Sequence, residues 1–120
     1  MINMDEIKNH YVQLGIATRI PLAFKRFCDE KFQLKEVPPV DIDKISRDEE
    51  KIRTIFEIID KEGTKVAIFK PSGEYQCLSD DFKPLFEQIV EELNYAAYKA
   101  AKAQDELAER DSKNFGNKLC

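Results

Sequence analysis

The stretch that decides the fold is Phe82–Arg110, FKPLFEQIVEELNYAAYKAAKAQDELAER. Phe82, Phe86, Ile89, Leu93, Ala96, Ala100, Ala103 and Leu107 recur in alternating steps of four and three, the heptad spacing of a helix with one apolar seam. Ahead of it, Ser79, Asp80 and Asp81 supply capping and acidic side chains, and Pro84 falls in the first turn, where its missing donor costs little. The pattern predicts one helix over 80–110. At about 1.5 Å per residue it is roughly 43 Å long, against a radius of gyration of about 14 Å for a compact chain of this size. It must cross the whole domain and protrude.

The first half of this seam is bulky, as a core-facing helix needs. The second half is alanine, which adds little burial but lets another helix come close. Either earlier helices of the same chain pack along the alanine face, or that face pairs with its counterpart in a homodimer, as in a coiled coil. The homodimer is the leading expectation, with Leu93, Ala96, Ala100, Ala103 and Leu107 at the interface and Tyr95 and Tyr98 flanking it. Lys99 and Lys102 follow one turn later, within reach of the tyrosine rings.

Working back from the long helix, the β-branched and aromatic run Val66–Phe69 is followed by Pro71-Ser72-Gly73 and the shorter run 74–78. Proline early and glycine late favour a type I turn, so the segment reads as a β-hairpin. A lone hairpin is marginal in water; residues 40–42 are the local candidate for a third strand, and a second copy of the protein is another. Ser46-Arg47-Asp48-Glu49 reads as a capping box, opening a helix whose stripe is Ile52, Ile55, Phe56 and Ile59 and whose stop is Gly63. Pro38-Pro39 makes 33–45 a rigid connector, and its spaced apolar residues suggest that it lies along the core. Two short helices are expected before it. The first covers 4–14, with Asn3 as cap and Gly15 as stop, and the second covers 21–32, opened by Pro21.

The fold class expected is thus α+β and mainly helical: three short helices, a β-hairpin and one long C-terminal helix. Residues 1–110 form a single domain, and 111–120, without apolar period, a flexible polar tail. The length of 120 residues suits one modest core.

Composition narrows the function. With 42% apolar and 35% charged residues the chain is expected to fold and to be soluble. No apolar run approaches the roughly 18 residues of a membrane span, and the start, MINMDEIKNH, lacks a signal-peptide pattern, so a cytoplasmic location is expected. Cys28, Cys77 and Cys120 form no CxxC pair and fit reduced thiols. His10 is the sole histidine, which excludes a histidine-based triad or a two-histidine metal site within one chain; the bland reading is a surface residue. Cys28 and His10 could form a nucleophile–base pair across the first two helices, although nothing in the spacing demands it. Asp41 and Asp43 lack the glycine and distal glutamate of an EF-hand loop, and the four glycines form no phosphate-binding loop. No catalytic residue, metal or cofactor is expected.

The leading functional expectation is a non-enzymatic acidic protein that works by binding another protein, as an inhibitor, immunity or anti-defence factor, adaptor or small structural component. Alternatives are an enzyme of unrecognised type and a dimeric winged-helix DNA-binding regulator. In the latter, Arg47, Lys51, Arg53, Lys65 and Lys70 would be the contacts. Nucleic acid is not favoured, because the net charge is −4 and the bases are mixed with acids.

Overall fold

The computed structural model of the chain describes the backbone of residues 4–118 and the side chains of residues 5–107. Helix α1, Met4–Phe27, leads into strand β1, Phe32–Val37. A single 3-10 turn, Ile42–Lys44, and the short helix α2, Arg47–Arg53, precede three strands: β2, Ile55–Asp60; β3, Lys65–Phe69; and β4, Tyr75–Cys77. A 3-10 turn at Asp80–Phe82 runs into the long helix α3, Lys83–Lys118. The class is α+β, mainly helical, with one long C-terminal helix. The expected tail, 111–120, lies beyond the described side chains.

Three local expectations are corrected. The helices placed at 4–14 and 21–32 are one helix, and Phe32 opens a strand instead of closing a helix. Gly15 does not stop α1 but lies inside it, where α3 packs close: a Cβ there would sit 3.3 Å from the Ala100 Cβ. Pro21 removes the N–H that would bond the Ala17 carbonyl, a cost of about 3 kcal/mol in an unsupported helix. Burial of Ile16, Ala17, Ile20 and Ala23 around it offsets that cost.

The second correction concerns 46–62. Ser46 does cap α2, its Oγ accepting from the Glu49 N–H at 3.2 Å, but the helix ends at Arg53 and the next six residues are β2. Ile52, Ile55, Phe56 and Ile59 satisfy the helical period, yet Ile55-Phe56-Glu57-Ile58-Ile59 also satisfies the strand period. β2 lies inside a four-stranded antiparallel sheet of order β1-β2-β3-β4, bonded on both edges, and that ladder decides the outcome.

Thirdly, the connector does not hug the core throughout. Its first residues form β1, and residues 40–42 are not a strand: Val40 is fully exposed and Ile42 opens the 3-10 turn.

The expected hairpin is present as β3–β4. The Gly73 N–H donates to the Lys70 carbonyl at 2.9 Å, and Gly73 takes φ 101°, the left-handed conformation that glycine adopts freely. The β2–β3 turn uses the same device, with Gly63 at φ 84°, and Asp60 Oδ1 accepts from the Glu62 and Thr64 N–H groups at 2.9 Å each.

The sheet has two unlike faces. Phe56, Ile58, Ala67 and Phe69 point inward and meet Ile16, Ile20 and Ala23 of α1 and Ile89 and Leu93 of α3 in one core. A bulge between Ile58 and Ile59 inserts Val66, which joins that core beside Phe82. The alternate residues Ile55, Glu57, Ile59 and Ile68 face away from the helices. There Glu57, only 8% exposed, is held by the Lys65 Nζ at 2.9 Å. Both long helices therefore cover one side of the sheet, and their own outer sides are left to other uses.

Candidate functional site

α1 and α3 run antiparallel: Lys8 lies opposite Asp105, Gly15 opposite Ala96 and Ala100, and Arg19 opposite Glu92. The contact row on α3 is thus Glu92, Ala96 and Ala100, in steps of four; Asp105, five residues further on, is reached by the Lys8 side chain. On α3 this spacing is the i±4 row of helix packing.

This places the seven expected interface residues. Leu93 is fully buried in the domain's own core. Ala96 and Ala100 meet α1 at Gly15 and are half-buried. The expectation that these three residues form an interface between chains is corrected, because α1 already occupies their face. Ala103 is exposed, since the four-residue row has rotated past it, and Leu107, Tyr95 and Tyr98 stay 49%, 57% and 60% exposed. The Lys99 ammonium lies 5.4 Å from the Tyr95 ring centroid, the expected cation–π contact.

Replacing Gly15 by leucine is expected to destabilise the protein by about 1–3 kcal/mol, because a side chain there must push α1 away from Ala100. Urea unfolding checks this; unchanged stability would mean that the two helices do not touch at this point.

The seam also holds a charged cluster that sequence reading missed. Glu92 is 9% exposed, and its Oε1 accepts hydrogen bonds from the Arg19 and Arg26 guanidinium groups, the latter at 3.4 Å, while Oε2 has no hydrogen-bond partner among the described residues. The Arg26 guanidinium lies 5.3 Å from the Phe27 ring centroid. Arg19 and Arg26 are seven apart and so share one stripe of α1, which is the signal that could have marked them. Their partner becomes visible only once α3 is docked. A shallow groove of about 500 Å³, with Tyr95 and Gln88 on its α3 wall, opens beside the cluster.

A second groove, of about 530 Å³, lies on the flank of α1 turned away from α3. Ala17, Thr18 and Pro21 form one wall, Glu36 and Pro38 at the end of β1 another, and Glu50, Lys51 and Thr54 of the α2 region the third, over a floor of Phe56. Thr54 is 8% exposed, and its hydroxyl donates to the Glu50 carbonyl at 2.6 Å.

The reactive pairs considered from sequence are not assembled. His10 and Cys28 stand on one continuous helical path, about 27 Å apart at about 1.5 Å per residue, so they cannot act together. His10 lies 3.9 Å from Asp48. Burial, and then the neighbouring Asp29, push the Cys28 thiol up to about 11, so it is protonated at neutral pH. A hydrogen bond from Arg53, 3.1 Å away, holds the Asp41 carboxyl below its usual range.

The winged-helix analogy required three separate helices before a hairpin. The observed order is one long helix, a strand, a two-turn helix and a three-strand meander. Of the five bases named for it, Arg53, Lys65 and Lys70 are paired with Asp41, Glu57 and Glu74. No protein-family model matches the chain, and comparison with curated proteins and with solved structures gave no match.

Proposed function

We propose that this is a non-enzymatic, cytoplasmic protein that acts by binding another protein through the outer side of α3, at Tyr95 and Tyr98. The observation that carries this reading is that two tyrosines one turn apart remain more than half exposed on the side of α3 turned away from the alanine row that α1 covers. Tyrosine suits such a role because it brings a large, stiff contact area with a polar end. Inhibitor, immunity or anti-defence factor, adaptor and structural component are all forms this binding can take. Among the described residues no helix is long and apolar enough to cross a membrane.

The test is a pull-down from the native cell with the wild-type chain and with Tyr95→Ala/Tyr98→Ala. A partner captured by the wild type and lost with the variant supports the reading; a partner kept by both rejects this surface. Loss of binding by at least roughly tenfold is expected, since central aromatic anchors carry about 2 kcal/mol or more.

Self-association is a second reading, favoured by the exposure of Ala103 and Leu107 beyond the row that α1 covers. Light scattering decides it: a dimer that Leu107→Asp dissociates supports it, and a strict monomer removes it. DNA binding is tested by gel shift at two salt concentrations, where tight, steeply salt-sensitive binding would reverse the ranking.

A further inference from the structure

The geometry points to the groove between α1, α2 and the end of β1 as a binding site for an arginine side chain presented by a partner protein. The inference rests on the protein-binding reading only in taking a protein as the carrier of that side chain. It concerns a different face from the α3 tyrosines.

An arginine has two parts to satisfy, an apolar stem and a planar fork of five N–H donors. The groove offers a counterpart to each. Its floor and walls are apolar where Phe56, Pro21 and Pro38 meet, and Phe56 is 4% exposed beneath them. Its lining includes Glu36 and Glu50, whose carboxylates have no ion-pair partner among the described residues. In the same wall Pro21 has no N–H to give to the carbonyl of Ala17. Lys51 is the one cation of the lining and is exposed, so it competes with an incoming guanidinium without closing the groove.

Charge favours the same occupant. The lining sets two carboxylates against one ammonium, in a chain whose net charge is −4. An acidic side chain is repelled, and a plain aliphatic one leaves the carboxylates unused. The volume falls within the roughly 300–1,000 Å³ of sites that take small groups. Arginine fits better than lysine because its fork of donors can engage two carboxylates, where an ammonium acts as a point charge.

The experiment is an NMR titration of the ¹⁵N-labelled full-length chain with N-acetyl-arginine amide, and with N-acetyl-leucine amide and N-acetyl-glutamate amide as controls. Saturable shifts are expected at the Thr18, Lys51 and Thr54 amides with the arginine probe alone. Glu36→Gln/Glu50→Gln should raise its Kd roughly tenfold, the effect of losing charge-assisted contacts. Lys51→Gln should lower the Kd, a reading independent of the glutamates. Arginine-amide shifts should be unchanged in Tyr95→Ala/Tyr98→Ala, so failure here and failure of the tyrosine surface are distinguishable. The proposal is overturned by absent or unsaturable shifts, by equal shifts with the leucine probe, or by a folded double glutamine variant with unchanged Kd.

Discussion

Phe69→Ala is expected to cost about 3–5 kcal/mol of unfolding free energy. Phe69 is completely buried, its ring lies 5.4 Å from that of Phe86 on α3 and 5.6 Å from that of Tyr75 on β4, and it stands opposite Phe56 in the ladder. It therefore ties three strands and a helix together at one point. Truncation removes the transfer term and leaves a cavity that the paired strands cannot collapse into. Since domains of this kind are stable by about 5–15 kcal/mol, the variant should lose a large part of its margin. The urea midpoint should fall with little change of slope. A loss below about 1 kcal/mol would mean that the ring is not at the centre of the packing.

The second large effect concerns Glu92, and it turns on which partner is removed. Arg19→Met leaves a carboxylate with 8% side-chain exposure and only the long Arg26 contact. Breaking a buried pair from one side costs about 3–5 kcal/mol, and the partial exposure of Arg19 places this case near the lower end. Glu92→Leu, in contrast, removes the buried charge, and both arginines are exposed enough to turn into water. It should stay within about 1 kcal/mol of the wild type, because an apolar replacement of a buried ion pair is often neutral or stabilising. Should Glu92→Leu prove the more damaging of the two, the cluster holds the helices together by attraction and the desolvation argument is wrong.

Much of the fold could be read from local chemistry. The seam from Phe82 to Leu107 announced α3, Ser46 its cap on α2, and Pro71 with Gly73 the β3–β4 turn. What escaped were places where a distant element overrides a local signal. Gly15 and Pro21 are stop and start signals in isolation, and only the closeness of α3 and the burial around Pro21 make them interior residues of one helix. Residues 55–59 fit either period, and neighbouring strands chose between them. The alanines of α3 fit a heptad and a four-residue row equally well up to Ala100; Ala103 is where the two readings part. Neither groove could be read from sequence, since each is lined by segments far apart in the chain.

The pairing of α1 with α3 also has a consequence for synthesis. Lys8 waits for Asp105, ninety-seven positions later, and Arg19 for Glu92. While the ribosome is still making the meander, Ile16, Ile20 and Ala23 have no α3 to cover them, and the growing chain exposes the surface that chaperones bind. A transcript cut short before the codon for Leu93 should yield a product that aggregates or is degraded, however intact its strands.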